Sequence, residues 1–174
     1  MKKVLLSLLM VVGIGFVANA QTEKGSWMVG AQAANINYNT TSEVFSFSLS
    51  PQAGYFVKDN LAIGGKLSLD IVSASGSTAT SWGIGPFVRG YFGGTEKAKF
   101  FAEGNVGLGG ISYSGASSTA YNLGATVGYA YFITKNVGLE TGLGYGYSNS
   151  TSGGMSSSDL GLNLGFQIYL GKRK

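Results

Sequence analysis

The stretch Leu61-Ala62-Ile63-Gly64-Gly65-Lys66-Leu67-Ser68-Leu69-Asp70-Ile71-Val72 alternates bulk with polarity, residue by residue. Leu61, Ile63, Leu67, Leu69 and Ile71 hold one phase; Ala62, Gly64, Lys66, Ser68 and Asp70 hold the other. A β-strand turns successive side chains to opposite faces, so this segment has one large apolar face and one small polar face that carries its charges. The last segment repeats the pattern, with Leu160, Leu162, Leu164, Phe166, Ile168 and Leu170 against Asp159, Gly161, Asn163, Gly165, Gln167 and Tyr169. A soluble β-sandwich or lipocalin-like barrel would need the bulky phase inside and the Gly and Ser phase in water. Charges on the small face in segment after segment point the other way, to an all-β, eight-stranded, antiparallel up-and-down transmembrane β-barrel.

Working outward, alternation places strands near 25–36, 44–57, 61–73, 80–92, 99–113, 120–133, 137–148 and 158–170. Each reaches the roughly 9 to 11 residues that a tilted strand needs to cross a bilayer. The connections alternate in kind. Lys58-Asp59-Asn60, the run 93–98 and Thr134-Lys135-Asn136 are tight and charged, whereas 37–43, 74–79, 114–119 and 149–157 are rich in Ser, Thr, Gly and Asn. Tight turns belong to the periplasmic rim of such barrels and polar loops to the outside, and an even strand count returns both termini to the periplasm.

Aromatics on the bulky face fall into two bands. Trp27, Tyr55, Phe92, Phe100 and Tyr131 lie toward the tight turns, and Phe45, Trp82, Tyr121, Tyr145 and Tyr147 toward the loops, as interfacial girdles require. Phe56, Phe87, Tyr91, Phe101, Phe132 and Tyr169 are the inward-phase exceptions. Pro51 and Pro86 fall on the outward phase, and because proline donates no ladder bond a bulge or a locally missing bond is expected at each. Glycines such as Gly83, Gly85, Gly107, Gly109, Gly124 and Gly144 fall on the inner phase, where a barrel of this size has space for few full-sized side chains.

The first 20 residues form a separate unit: Lys2 and Lys3 precede an apolar run from Val4 to Val17 that ends in Ala18-Asn19-Ala20. This predicts a secretory signal peptide over 1–20, cleaved between Ala20 and Gln21, followed by one barrel domain over 21–174. The apolar run is shorter than a spanning helix needs. With no cysteine in the chain there is neither a disulfide framework nor a thiol for a lipid anchor. Loss of Lys2 and Lys3 with the leader lowers the net charge from +4 to +2, and Lys172, Arg173 and Lys174 carry much of the remainder, which argues against a nucleic-acid partner. Charged residues make up 11% of the chain, against about a quarter in soluble domains.

Chemistry has few places to reside. The chain contains no histidine, which rules out a Ser-His nucleophile, and no Lys singles out another Ser. Without His or Cys, and with inner carboxylates at unrelated depths, no metal or other cofactor is expected. The remaining constellation is ionic. Counted up from the tight turns, Lys66, Arg89, Glu103 and Glu140 lie at similar depth in the periplasmic half of the interior, with Asp70 higher and Asp159 near the outer mouth. Lone charges in a closed interior are costly, so a mutually paired network that fills the lumen is the structural expectation, with Arg89 paired to Glu103 across neighbouring strands and Lys66 and Glu140 completing the set. The functional alternative is a gate in which swapped partners open a narrow water path.

The leader, the eight alternating segments, the tight turns and phrases such as Pro51-Gln52-Ala53-Gly54-Tyr55-Phe56-Val57 before Lys58-Asp59-Asn60, or Tyr129-Ala130-Tyr131-Phe132-Ile133 before Thr134-Lys135-Asn136, resemble the small eight-stranded outer-membrane β-barrel family that includes OmpX and the transmembrane domain of OmpA. The resemblance spans essentially all of the mature chain. It implies residence in the outer membrane after export through the periplasm, outer-membrane lipid as the surrounding partner, and insertion by the barrel-assembly machinery, which reads a last strand resembling Leu164 to Leu170. Here that strand does not end on a terminal aromatic, because Gly171 to Lys174 follow. The family suggests a non-catalytic structural or surface-interaction protein, with a small porin-like channel as the alternative. An interior of eight strands is about filled by side chains, whereas aqueous porins use around 16, which favours the first.

Overall fold

The computed structural model describes residues 22–39, 44–74, 77–113, 116–151 and 156–171. The leader with Ala20 and Gln21, and the tail Lys172, Arg173 and Lys174, lie outside the described residues. Eight strands, β1 (Trp27–Asn39), β2 (Val44–Lys58), β3 (Leu61–Ala74), β4 (Ser77–Thr95), β5 (Ala98–Tyr113), β6 (Ala116–Phe132), β7 (Val137–Ser150) and β8 (Ser156–Leu170), follow one another around a closed barrel. Every neighbouring pair is antiparallel, and β8 returns to β1.

The tight turns are built by local chemistry. Lys58 pairs with Leu61 across the two-residue loop Asp59-Asn60, and Asn60 takes φ 63°, a left-handed conformation that Asn tolerates better than most residues. At the β4–β5 turn Gly93 and Gly94 adopt φ 57° and 81°, and the register shifts between Phe92 and Thr95. The outer ends differ from the sequence expectation. Much of the expected loops 74–79 and 114–119 is strand: β3 continues to Ala74 and β4 starts at Ser77, while β5 continues to Tyr113 and β6 starts at Ala116. Apolar alternation stops where the hydrocarbon stops, but an antiparallel ladder of Ser and Thr can run on into water.

Both prolines interrupt pairing without shifting it. The β2–β3 ladder skips from Leu49↔Leu69 to Gln52↔Lys66 around Pro51, and the β4–β5 ladder skips from Ile84↔Leu108 to Phe87↔Asn105 around Pro86. A bulge does occur in β1, between Gln32 and Asn35.

The two phases separate completely in mid-barrel. Leu67, Val88 and Val127 are 49%, 49% and 57% exposed, whereas Arg89 is 0% exposed and Glu103 3%. Soluble monomers rarely expose contiguous apolar patches beyond a few hundred Å². A belt that encircles the molecule belongs against hydrocarbon. The lower aromatic level is knitted together by Trp27 with Tyr55 (ring centroids 5.2 Å apart), Phe92 with Phe100 (6.2 Å) and Phe100 with Tyr129 (5.3 Å). Phe45, Trp82, Tyr121 and Tyr145 are exposed at the upper level.

Below β1 the chain folds across the tight-turn mouth. Gly25 N–H donates to Phe56 O, Phe56 N–H to Ser26 O, and Asn60 N–H to Thr22 O. Lys99 Nζ then bridges Thr22 Oγ1 (2.7 Å) and Asn60 Oδ1 (2.6 Å), and Lys24 N–H donates to Asp59 Oδ1. Thr22 and Ser26 are buried as a result.

Val127 lies midway between the two aromatic levels, so Val127→Arg is expected to cost about 2–4 kcal/mol in urea unfolding from lipid vesicles. The folded barrel is also expected to migrate differently with and without boiling in detergent gels. No shift in mobility, with a tolerated arginine, would identify a water-facing wall.

Candidate functional site: the lumen

The interior has a closed half and an open half. The closed half is organised by Arg89 on β4, whose guanidinium is fully buried. Its Nε donates to Glu103 Oε2 at 2.8 Å, on the residue directly opposite in the β4–β5 register. Nη2 stands 2.6 Å from the same oxygen, as an ion pair without hydrogen-bond geometry. Nη1 reaches across the bore to both oxygens of Glu140 on β7, at 2.8 Å each. Lys66 on β3 donates to Glu103 Oε1 (2.5 Å) and to Gln32 Oε1 on β1 (2.9 Å). Two cations therefore face two carboxylates, and the cluster is formally neutral.

Tyrosines complete the carboxylate shell. Tyr169 Oη donates to Glu140 Oε1 at 3.1 Å, and the Tyr91 and Tyr169 hydroxyls meet at 2.9 Å. Gln167 Nε2 lies 3.4 Å from Glu140 Oε2. The guanidinium also sits 4.5 Å from the Phe101 ring centroid, within range for a cation–π contact. Six strands thus contribute a side chain to one connected network: β1, β3, β4, β5, β7 and β8.

Toward the tight turns, Met28, Phe56, Phe87, Tyr91, Phe101, Phe132 and Tyr169 pack into one cluster, each no more than 5% exposed. Phe132 and Tyr169 meet edge to face at 5.2 Å, and the Phe56 and Tyr91 rings lie tilted at 34° with centroids 5.9 Å apart. Above the ionic layer the lumen opens into a cavity of about 400 Å³ that rises from Gln32 and Lys66 to Asp70, Ser148 and Asp159. Its width comes from glycine. Asn122 lies over Gly109 and Asp159 over Gly146, so closely that a Cβ at either glycine would stand 2.6 or 2.7 Å from the polar atom above it. Flattened against the wall, these side chains leave the middle free for on the order of ten waters.

Of the six charges singled out in the sequence, the structure brings Lys66, Arg89, Glu103 and Glu140 together and leaves Asp70 and Asp159 apart. Among the described residues, neither Asp70 nor Asp159 has an ion-pair or side-chain hydrogen-bond partner, and no group of three or more carboxylates could hold a metal ion. The sequence reading missed the bonding partners Gln32, Gln167, Tyr91 and Tyr169, and it missed Lys99. The tyrosines stood out as inward-phase aromatics but were not linked to Glu140. Lys99 shares the phase of Phe101 and Glu103, so counting by two would have placed it inside.

No protein-family model matches the chain, and neither does any curated protein. Solved structures do match. Neisserial surface protein A superposes with a TM-score of 0.63 at 21% identity, over 82% of this chain and 95% of that one. OprG, an outer-membrane protein from Pseudomonas aeruginosa, gives a TM-score of 0.52 at 12% identity, over 87% of this chain and 99% of that one. The chain shares the fold of the small eight-stranded outer-membrane barrels.

Because Arg89 neutralises two carboxylates that are themselves almost fully buried, Arg89→Ala is expected to cost about 3–5 kcal/mol in urea unfolding, the range for breaking a buried ion pair by removing one partner. Arg89→Ala combined with Glu140→Gln should recover part of that loss. Additive losses from the two substitutions would mean that the carboxylate does not depend on the cation.

Proposed function

We propose that the chain is an outer-membrane barrel with a structural or surface-contact role, closed to ions at its periplasmic half and open as a shallow polar cup on the outside. The observation that carries this is the stack of side chains across the bore. Arg89, Phe56, Phe87, Phe101, Met28 and Tyr169 are each no more than 1% exposed in one layered block. Water cannot pass such a block unless several strands' side chains move together, and the Thr22–Ser26 segment lies beneath it as a second cover. A lumen of this kind stabilises the cylinder rather than conducting through it.

Location follows from the same reading. The apolar belt calls for a bilayer, and a closed barrel whose tight turns lie at the end of both termini suits export to an outer membrane with insertion by the barrel-assembly machinery. Likeness in fold to Neisserial surface protein A and OprG supports this placement. No catalytic role is assigned, because the buried carboxylates are all engaged with cations and the chain has no histidine base. The rival reading is a small channel gated by exchange of partners around Arg89.

Recording from planar bilayers separates the two. The closed reading expects silence from a barrel whose insertion is established by its heat-modifiable mobility. Steady, reproducible conductance steps from the unaltered protein would overturn it in favour of the channel.

A further inference from the structure

One stretch of the lipid-facing wall is hollow. Across β3 to β7 the outward residues Ile63, Val88, Gly104, Ala125 and Tyr145 stand in register, and the row loses its bulk at Gly104 and Ala125. Nothing lies within 4 Å of where a Cβ on Gly104 would be. The row above is bulky, with Val106, Leu123 and Tyr147 in register and Pro86 at its β4 end. Between the two rows lies an apolar groove of about 630 Å³, within the roughly 300–1,000 Å³ of small-molecule pockets. All of its lining belongs to the described residues.

Glycine has no lumenal reason here. The inner-phase glycines answer to the narrow bore, but Gly104 is on the outward phase, where a strand-interior glycine gives up side-chain packing and marks a place that a ligand or another backbone approaches closely. Direction and length narrow the occupant. At its lower end the groove stops at Ile63, which pairs with Tyr55 of the lower aromatic level. At its upper end it runs out past Tyr145 and Tyr147, where polar groups begin: Ser158 pairs with Tyr147, and the Asn149 side-chain amide donates to Tyr147 Oη at 3.4 Å. Four inter-strand steps of ~4.8 Å make the groove about 19 Å long, on a slant, which suits a chain that fills one half of a hydrocarbon core about 30 Å thick.

A second copy of the chain is the wrong occupant, since a two-fold contact would set hollow against hollow and leave a void. The tail Lys172-Arg173-Lys174 is too polar for it. We propose that the groove is a binding site for one acyl chain of an outer-leaflet lipid, laid over Gly104 and Ala125 with its head beside Tyr147 and Ser158. This rests on the membrane-barrel reading above. The groove is continuous with the apolar belt that hydrocarbon covers, and a chain sunk into it gains contacts on its flank, from Val106 and Leu123, as well as on its underside.

The test uses the folded, heat-modifiable barrel in octyl glucoside, with dipalmitoylphosphatidylcholine as the probe and retained lipid counted by native mass spectrometry. One lipid should be held saturably. Gly104→Leu together with Ala125→Leu fills the space of several methylenes and should weaken that binding about ten-fold. Heat-modifiable mobility certifies that each variant is folded, and Ala125→Leu alone, with a smaller loss, carries the test if the pair does not fold. Ala31→Leu adds bulk to the outward phase of β1, across the cylinder from β5, and should leave binding unchanged. In nanodiscs of the same lipid, nuclear Overhauser transfer from the chain methylenes should be stronger at the Ala125 methyl than at the Ala31 methyl. No retained lipid, equal weakening by Ala31→Leu, equal transfer at the two methyls, or a protein dimer that filling the groove abolishes would each overturn the site. Absence of heat-modifiable mobility in the unaltered protein would instead defeat the membrane reading itself, so the two failures are distinguishable.

Discussion

A strand in hydrocarbon must give every backbone N–H and C=O a partner, and for a sheet that means closing on itself. Most of what is unusual in this chain follows from that demand. A cylinder of eight strands encloses little volume, so the inner phase must be small nearly everywhere, and glycine supplies the smallness. The few full-sized inner residues then have to share one compact layer. Arg89 is long enough to span the bore from β4 to β7, which lets one cation serve Glu103 on its neighbouring strand and Glu140 on the far wall. Apolar bulk excluded from the interior goes outside, where lipid accepts it.

The division of the lumen has an equally simple origin. Near the tight turns the inner phase carries aromatics and methionine, whose volume fills the bore and whose rings shield the ion pairs from water. Above Lys66 the inner phase carries Asn, Ser, Thr and Gly. Amides laid over glycines line a wall instead of filling a space, and the bore widens into a cup. Buried charge is tolerated at the boundary because it is paired there; Asp70 and Asp159 stand in the part that water can reach.

Much of this was legible in the sequence. Period-two alternation gave the strand count and the facing of Leu67 against Lys66, because inward and outward phases differ in bulk at almost every position. The tight turns were marked by Asp59-Asn60 and Gly93-Gly94, residues whose conformational habits are local. What stayed hidden depends on distance in the chain. Glu140 was placed in the network by depth, but that Arg89 itself reaches it while Lys66 turns to Glu103 and Gln32, or that Tyr169 donates to it, follows from barrel curvature and register, neither of which is written in any one segment. The outer hairpins were misjudged for another reason: in water, Ser and Thr form ladders without the apolar alternation by which strands were recognised. The shortness of the β1–β8 ladder, which runs only from Trp27↔Leu170 to Gln32↔Gly165, left no sequence signal either, since Leu160, Leu162 and Leu164 alternate as regularly as the residues of any other strand.

The segment Thr22–Ser26 bears on the shape of the cylinder. Its bonds to Phe56 on β2 and to Asn60 in the β2–β3 turn continue the pairing of neighbouring strands, whereas the Lys99 ammonium at the foot of β5 reaches Thr22 and Asn60 only when the sheet has curled. Lys99 therefore acts as a clasp set by curvature: once the cylinder has its radius, one ammonium ties the foot of β5 to both Thr22 and the β2–β3 turn, and a flatter sheet would hold those groups apart.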